Sequence, residues 1–480
     1  MTIKMRINNA PLLPEYVPDD QVTVDENGTP DWAAGLIFAQ IRITTATKEG
    51  TLQSAVKVLD HYAEMGVNAL WVCPIYDTEA DDRYGNAYGN AGPHTVNPVL
   101  TGTEDYAKGW LEVKAFVDEA HKRNIRILFD IIMWGTRKTA PLRKEHPDWY
   151  NGEEAWGGYA FDWTNSELRE WFIERAVDIV NITGCDGQRY DLEPGITGYD
   201  IAKEIRRRLN AQGKKPFMMS EQQNERNDAY DVDEIGIIGL EEIVASFYKK
   251  EPEYFFLDEY DIVDTVKQGR QIGGGFWKEK NLGCAFRYYM GTVACHDNRF
   301  PVLCGNRLAI GYQSIFSPFI PMWYIGEEWN NPQTVEDVLY FNTIDWAALD
   351  QPENRAFYED VKKMLRIRRS YPEIFTYYPE HFRDTNICKV VTSAKDGPCA
   401  YARYADGKAL LIVPNAAKER TEITVTVPFA AAGLDSGREY QVTDAETGET
   451  VASGIHCGND TFTVTVSHMD QKVLLTEPSE

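Results

Sequence analysis

Four acidic residues each follow a short run of residues that could form a buried strand. Asp130 follows Ile-Leu-Phe, Asp191 follows Gln-Arg-Tyr, Glu221 follows Met-Met-Ser, and Asp297 follows Ala-Cys-His. If these runs are strands of one parallel barrel, the four carboxyl groups meet at its carboxyl-terminal face, where barrel enzymes hold their active sites. Unpaired buried carboxylates are costly, so a structural role alone explains such a cluster poorly.

Two carboxyl groups that flank a bond are what glycoside cleavage needs. One must be neutral to protonate the leaving oxygen, and the other must be ionised to attack or stabilise the sugar cation. Metal-dependent barrel hydrolases also collect acids at strand ends, but they usually gather histidine ligands as well. Here only His296 meets that description. The spacing of the acids alone therefore leaves both chemistries open.

Arg189 lies two residues before Asp191. Because strand side chains alternate with period two, both side chains are expected on the same face of one strand. The guanidinium could then hold the Asp191 carboxyl ionised by charge pairing. An ordinary salt bridge at the rim of a barrel is an equally good interpretation of this spacing.

Eight short apolar runs, separated by amphipathic helical patterns, follow residue 34. Short apolar runs flanked by helices are typical of parallel strands that are buried on both faces. No GxGxxG turn is present, so the pattern favours a (β/α)8 barrel over an open doubly wound sheet. The predicted strands are Gly35–Ile43, Ala69–Ile75, Ile125–Met133, Cys185–Leu192, Pro216–Glu221, Ile243–Tyr248, Tyr288–His296 and Ser317–Ile325.

The texture of the sequence changes after Pro372. Short alternating strands separated by Gly, Asp and Asn turns predict a C-terminal antiparallel β-sandwich over residues 375–480. The barrel is expected to span residues 34–374 and to close with a helix near its end. Residues 1–33 are Pro-rich and are expected to form an extended arm.

The chain is acidic, with 49 basic and 74 acidic residues and a net charge of −25. Such a surface should be repelled by phosphate backbones and anionic lipid, which disfavours nucleic-acid and membrane partners. No transmembrane run and no secretory signal are visible. The eight cysteines are scattered without a CxxC pair, which favours free thiols in a reducing compartment. We therefore expect a cytoplasmic location.

Several short segments occur in a fixed order along the chain. They are Ala69-Leu-Trp-Val-Cys-Pro-Ile, Asn97-Pro-Val-Leu-Thr-Gly-Thr-Glu-Asp-Tyr, Asp130-Ile-Ile, Asp186-Gly-Gln-Arg-Tyr-Asp191, Met219-Ser-Glu221, Cys295-His-Asp297 and Ile320-Pro-Met-Trp-Tyr-Ile-Gly-Glu327. In this order, with acids on predicted strands four, five and seven, the chain resembles the α-amylase superfamily, glycoside hydrolase family 13. The resemblance covers nearly the whole chain.

The resemblance implies three catalytic roles. Asp191 would be the nucleophile, Glu221 the general acid/base, and Asp297 the group that stabilises the transition state by gripping sugar hydroxyls. The reaction would be double displacement with retention, through a covalent glycosyl-enzyme on Asp191.

Further residues are expected to bind the sugar. Tyr88 lies nine residues before Asn97, where the family places an aromatic platform, although a loop tyrosine without that role is the alternative. Arg189 would orient the nucleophile, and His296 would hydrogen-bond the sugar. The predicted substrate-binding residues are Arg189, His296, Tyr88, Asp130 and Trp134.

The expected activity is therefore cleavage of α-glucosidic bonds in small oligosaccharides or α-glucosides, with a small carbohydrate as the binding partner. A transglycosylase or glucanotransferase could use the same three acids, because the shape of the acceptor site decides between water and sugar. A noncatalytic sugar-binding subunit is a further alternative, but relatives of that kind typically lack the catalytic acids. The sequence leaves the oligomeric state open.

The third-strand motif departs from the family pattern. Trp134 and Gly135 occupy the positions where the family usually has Asn-His. The missing His normally contacts the sugar, and the missing Asn is a usual calcium ligand. Gly89 stands where an acid is common. We therefore predict no cofactor and no obligatory metal.

The loop that follows the third strand is short for the family, at about residues 135–162. It cannot build a deep wall, so other segments must shape the sugar subsites. The candidates are Trp134, Trp149, Trp156, the loop at residues 273–277 and the N-terminal arm. For each tryptophan alone, core packing is the competing interpretation.

Overall fold

The computed structural model describes residues 30–79, 82–192, 195–221, 234–239, 288–292, 294–297, 307–309, 311, 315–316, 320–335, 338–375, 386–394, 399–417 and 419–479. These residues belong to two compact units. The first comprises the described parts of Met1–Ile237, Asn281–Tyr289 and Gln333–Ile344. The second comprises the described parts of Ile238–Lys280, Met290–Pro332 and Asp345–Glu480.

A parallel sheet forms the centre of the first unit. Its strands pair in chain order: β1 (Phe38–Ile41), β2 (Ala69–Val72), β3 (Arg126–Ile132), β7 (Gly187–Asp191), β8 (Phe217–Ser220) and β9, which begins at Glu234 and ends at Gly239. Every residue of β1, β2 and β7 is buried, as expected for parallel strands covered on both faces.

Helices follow the strands of this unit, and several have clear sequence signals at their ends. Thr51 forms a capping box with Ser54 at the start of one helix, which ends at Gly66 with φ 99°. Asp105 and Asn165 cap two others. The helices are α1 (Ile43–Ala46), α2 (Leu52–Met65), α3 (Pro98–Thr101), α4 (Tyr106–His121), α5 (Pro141–Glu145), α6 (Ser166–Thr183) and α7 (Gly195–Asn210), with 3-10 turns at Asp31–Gly35, Pro147–Trp149 and Leu339–Phe341.

A small antiparallel sheet lies between β3 and α6, in the segment expected to be a short loop. Its strands are β4 (Gly135–Arg137), β5 (Tyr150–Ala155) and β6 (Gly158–Phe161), paired in the order β4-β6-β5. We call residues 135–161 the insertion. Trp149 is 2% exposed and packs in an apolar cluster with Leu142 and Phe161 of the insertion and Leu168 of α6, so core packing is its role.

The second unit contains two parallel strands that pair with each other, β10 (Tyr288–Thr292) and β11 (Ile320–Tyr324), through residues 290–292 and 320–322. Its helices are α8 (Arg307–Ala309), α9 (Pro352–Ser370) and α10 (Pro372–Phe375), with 3-10 turns at Glu327–Trp329 and Trp346–Asp350. The long helix α9 corresponds to the helix predicted near residue 370.

Two antiparallel sheets follow, as the alternating pattern after Pro372 predicts. One sheet has the order β12-β14-β15-β20-β17-β18 and the other β13-β16-β19, and their apolar side chains share one core. The strands are β12 (Ile387–Lys389), β13 (Val391–Thr392), β14 (Tyr401–Ala405), β15 (Lys408–Asn415), β16 (Thr421–Thr426), β17 (Tyr440–Asp444), β18 (Thr450–Ile455), β19 (Thr461–Val466) and β20 (Asp470–Pro478).

Seven of the eight predicted strands overlap observed ones. The remaining prediction, Ile243–Tyr248, lies outside the described residues, as do most of the N-terminal arm and the loop at 273–277. The sequence did not predict β9. The limits of the arm, the barrel and the sandwich at residues 33 and 375 stay predictions. Among the described residues, no helix is both long and apolar enough to cross a membrane.

Candidate active site

Arg189 contacts three of the predicted acids at once. Its Nη1 lies 3.0 Å from Oδ1 of Asp130 and 2.6 Å from Oδ1 of Asp191. Its Nη2 lies 2.9 Å from Oε1 of Glu221. Asp130 is on β3, Arg189 and Asp191 are on β7, and Glu221 directly follows β8. The carboxyl ends of three adjacent parallel strands therefore bring these side chains together.

The centre of this cluster is shielded from solvent. The side chain of Arg189 is 1% exposed and that of Asp130 is 0% exposed. Trp71 on β2 donates its indole N–H to Oδ2 of Asp130 over 3.0 Å. The Arg189 guanidinium carbon also lies 4.8 Å from the centre of the Trp71 ring, a distance typical of a cation–π contact. Charge pairing in such a place is much stronger than on an open surface.

Burial controls the ionisation of the cluster. It raises the pKa of the Asp191 carboxyl well above its ordinary value, against the Arg189 guanidinium and with the help of the Glu221 and Asp130 carboxylates. Burial likewise raises the pKa of Asp130, although Arg189 and the Tyr88 hydroxyl favour its ionised form. One guanidinium cannot neutralise three carboxylates, so the cluster favours keeping a proton.

Glu221 is the most accessible acid of the cluster. Its side chain is 27% exposed, against 7% for Asp191. Its Oε2 accepts a hydrogen bond of 2.8 Å from the backbone N–H of Leu192, the residue after Asp191. A carboxyl group that must exchange a proton with a bound molecule needs this kind of access, while a buried neighbour can be held in place by Arg189.

Tyr88 reaches the cluster from the loop after β2. Its hydroxyl donates to Oδ2 of Asp130 over 2.8 Å, and its ring packs against Tyr340 with centroids 5.4 Å apart. Burial and the Asp130 charge raise the pKa of Tyr88, so its hydroxyl stays protonated and remains a donor. The Trp134 indole N–H donates a hydrogen bond of 3.3 Å to the Tyr88 carbonyl oxygen, which helps to fix the backbone of the loop.

Residues 27–223 match the family described as alpha amylase, catalytic domain. Over this segment, which is less than half of the chain, the sequence is similar to the α-amylase family. The segment includes the whole of the Arg189 cluster, from Trp71 to Glu221.

Two curated relatives illustrate the range of similar sequences. A malto-oligosyltrehalose trehalohydrolase from Saccharolobus solfataricus is 23% identical over 351 residues, covering 66% of this chain and 60% of the relative. A glucan 1,6-alpha-glucosidase from Streptococcus pneumoniae is 28% identical over 30% of this chain and 23% of its own length. This chain thus spans less than two thirds of the length of these relatives.

Solved structures of α-amylases share the fold over most of the chain. A noncanonic maltogenic alpha-amylase from Thermotoga neapolitana has a TM-score of 0.70 at 18% identity, covering 93% of this chain and 100% of that one. An alpha-amylase from Geobacillus thermoleovorans has a TM-score of 0.69 at 16% identity, covering 93% and 99%. The likeness confirms the predicted fold class, a (β/α)8 barrel with a C-terminal antiparallel β-sandwich.

Gly89, one of the departures from the α-amylase pattern, lies against the side chain of Arg137. A Cβ atom at Gly89 would lie 2.0 Å from Nε of Arg137, so a larger residue there would require the end of that side chain to move. Arg137 is on β4 of the insertion, donates to the Gly89 carbonyl oxygen over 3.0 Å and pairs with Asp82 at 2.7 Å. The insertion therefore holds the Tyr88 loop at a position where the family commonly has an acid.

Sequence reasoning missed three residues that support the site. Trp71 lies within a quoted family segment, but its bond to Asp130 was not foreseen. Tyr340 packs on Tyr88, and its hydroxyl accepts the backbone N–H of Ala87 over 3.0 Å. Arg42 donates to the carbonyl oxygens of Tyr340 and Tyr84, each over 2.7 Å. Nothing in the sequence pairs Arg42 with Tyr340, because 298 positions separate them.

His296 and Asp297 lie in the second unit, four and five residues after the end of β10 at Thr292. His296 is buried, and its Nε2 lies 3.4 Å from Oδ2 of Asp297, whose side chain is 59% exposed. This pairing fits a histidine and an acid that act side by side. Their predicted roles toward the sugar stay predictions.

Two places bear on the question of a metal. Trp134 and Gly135 offer no side-chain oxygen, the ligand that calcium prefers, at the family's usual calcium position. Ligand atoms of Cys295, His296 and Asp297 lie within 4.8 Å of one another, but a thiol and an imidazole suit zinc-like ions rather than calcium. The residues therefore do not fit the family's calcium, and the absence of an obligatory metal stays a prediction.

Proposed function

We propose that this protein is a retaining glycoside hydrolase that cleaves α-glucosidic bonds in small oligosaccharides or α-glucosides. Asp191 is the nucleophile, Glu221 the general acid/base and Asp297 the transition-state stabiliser. The observation that supports this most strongly is the single guanidinium of Arg189 bound to Asp130, Asp191 and Glu221. The proposal includes a cytoplasmic location and needs no metal.

The first step forms a glycosyl ester. A carboxylate oxygen of Asp191 attacks the anomeric carbon, and the bond from that carbon to the glycosidic oxygen breaks. The leaving oxygen takes the proton of the Glu221 carboxyl group. Arg189 orients the Asp191 carboxylate with a hydrogen bond of 2.6 Å.

The second step removes the sugar from the protein. A water molecule gives one proton to the Glu221 carboxylate, and its oxygen attacks the anomeric carbon. The ester bond to Asp191 breaks, which regenerates both acids and releases a sugar with its original anomeric configuration. Tyr88 would contact the sugar during both steps, and the buried Asp130 would act on the sugar through Tyr88, because its carboxylate holds the Tyr88 hydroxyl.

Product stereochemistry tests this function. We would incubate the wild type with a panel of α-glycosides and follow the anomer of the first product by NMR. The expected product is the α-anomer, and Asp191→Asn should lose nearly all turnover because an amide is a poor nucleophile. Asp186→Asn is the matched control, since Asp186 lies before the amino end of the same strand, where it accepts the Ile127 N–H.

Inversion at the anomeric carbon, or full turnover by Asp191→Asn, would contradict the mechanism. Activity that disappears with a chelator and returns with a divalent ion would contradict the metal-independent part alone.

Transglycosylation by the same acids is the second candidate. It is favoured by similarity to 1,4-alpha-glucan branching enzymes, one of which, from Corynebacterium glutamicum, is 26% identical over 31% of this chain. Longer oligosaccharides among the products would support it. A noncatalytic sugar-binding subunit is disfavoured, because Asp191 and Glu221 are both present and both contact Arg189.

A further inference from the structure

We propose that Trp156, at the tip of the β5–β6 hairpin, binds an outer sugar unit of an oligosaccharide whose reacting unit lies at the Arg189 cluster. This inference rests on the proposed function and adds to it a substrate class, namely linear chains that extend beyond the reacting sugar. Trp156 is 67% exposed, whereas most other tryptophans of the described residues are buried or half-buried.

The turn itself does not explain a tryptophan at this position. Ala155 pairs with Gly158, so Trp156 and Gly157 form a two-residue hairpin turn. Both have positive φ, 47° and 79°, which are the signs of a type I′ turn. Asn or Gly suits the first position, while a bulky residue there is strained. Strain of this kind is often found where a side chain has a function.

A line of contacts leads from this hairpin to the cluster. The rings of Trp156 and Trp134 meet edge to face with centroids 5.5 Å apart. Trp134 is 7% exposed and donates to the Tyr88 carbonyl oxygen, while the Tyr88 hydroxyl donates to Asp130. A Cβ atom at Gly158 would lie 2.4 Å from the Trp134 ring, so the hairpin is built closely around that tryptophan.

The exposed ring of Trp156 suits a hexose. A hexose has an apolar face of C–H groups and a rim of hydroxyls. An exposed aromatic ring can cover the apolar face while the hydroxyls stay in water.

Binding of maltooligosaccharides of two to six glucose units tests this proposal. We would measure affinity by calorimetry with Asp191→Asn, which keeps the sugars intact, and with the same protein carrying Trp156→Asn. Asn fits the left-handed turn, so this change removes the ring without strain and should raise the stability of the hairpin. We expect affinity to rise with chain length in the first protein and to fall roughly tenfold for the longer chains in the second.

Two further variants separate a sugar contact from a general loss of structure. Trp156→Phe keeps an aromatic ring and should retain part of the gain with chain length. Leu111→Ala removes a 60% exposed apolar side chain from α4 and should leave the whole series unchanged.

The same gain with chain length with and without Trp156→Asn would overturn this proposal. So would a series in which the affinity of the Asp191→Asn protein, with Trp156 in place, does not depend on chain length. Wild-type turnover, assayed in parallel, keeps the two proposals apart. Inactivity on every α-glycoside overturns the proposed function, whereas activity without a chain-length effect overturns the Trp156 site alone.

Discussion

Arg189 in the first unit and Arg307 in the second each pair with three acidic side chains, yet the two clusters differ in burial. Arg307 on α8 contacts Asp360, Glu446 and Asp470, and its own side chain is 18% exposed. The three acids of Arg307 are 13% to 30% exposed. In the Arg189 cluster two of the three acids are 7% exposed or less.

This difference in burial distinguishes a candidate catalytic centre from a structural ion-pair cluster. Burial opposes the charge of Arg307, but hydrogen bonding to Glu446 and the charges of its other acids outweigh it and raise its pKa. That cluster links α8 and α9 to β20 by ion pairs, so we assign it a structural role. Around Arg189 the stronger desolvation instead raises the pKa of Asp191 and of Asp130, which lie on adjacent parallel strands.

Exchange of each arginine for methionine should separate the two clusters most clearly. Arg189→Met leaves Asp191 without its orienting donor, and we expect kcat/KM to fall by at least about 10²-fold. Arg307→Met should leave kcat/KM within about threefold of the wild type, because its cluster has a structural role. Equal losses of kcat/KM in the two variants, measured on the folded fraction, would contradict the distinction.

Arg42 provides a third case, because it donates to backbone carbonyl oxygens, whereas Arg189 and Arg307 pair with carboxylates. It lies 3.9 Å from the centre of the Tyr340 ring, which packs on Tyr88. Arg42→Met leaves buried carbonyl groups without a donor, so we expect the Tyr88 loop to shift and KM to rise about tenfold. Arg42→Lys should recover part of the loss. A fall in kcat with unchanged KM would show that the loop does not position the sugar.

The two comparisons also show how far the sequence alone could go. Asp130, Asp191 and Glu221 were predicted because strand ends can be recognised in the sequence and parallel strands bring their ends to one edge. Arg189 was placed beside Asp191 by the two-residue period of a strand. Its contact with Glu221, by contrast, depends on a long side chain that crosses between strands, which no periodicity reveals.

Other features had no local signal. Strand β9, Glu-Ile-Gly-Ile-Ile-Gly, is short and has glycine at two positions, which weakens a strand pattern. In the insertion, Trp149 and Phe161 belong to one apolar cluster although they are twelve residues apart in the sequence. No periodicity of the sequence relates these two positions. Arg42 and Tyr340 meet only because the fold brings their segments together.

The pH dependence of activity should report the coupling among the buried acids. The Asp130 carboxylate raises the pKa of Asp191, so Asp130→Asn should lower that pKa. The acid limb of the kcat/KM profile, which reports ionisation of the nucleophile in the free enzyme, should then move to lower pH. In the wild type this limb should lie above the ordinary range for an aspartic acid. A limb that moves higher in Asp130→Asn would contradict the assigned coupling.

The smallest effect is expected for single acids of the Arg307 cluster. Asp470→Asn removes a carboxylate that is 24% exposed, while Arg307 keeps two others, so the loss should be about 1 kcal/mol. The melting temperature should fall by about 2–4 °C, with kcat/KM unchanged. Asp435→Asn, which removes a 59% exposed carboxylate near Arg438, is the control and should leave the melting temperature unchanged.

Trapping the glycosyl ester tests the central claim most directly. An α-glucosyl fluoride with a second fluorine on the ring should form the ester faster than water removes it. The ring fluorine destabilises the sugar cation and slows both steps, but the anomeric fluorine leaves readily as fluoride and keeps the first step fast. We expect the intact protein to gain the mass of one sugar, and peptide mapping to place it on Asp191. Arg189→Met should acquire it far more slowly. Turnover of natural substrates without any adduct, or an adduct on another residue, would contradict the assignment of Asp191 as the nucleophile.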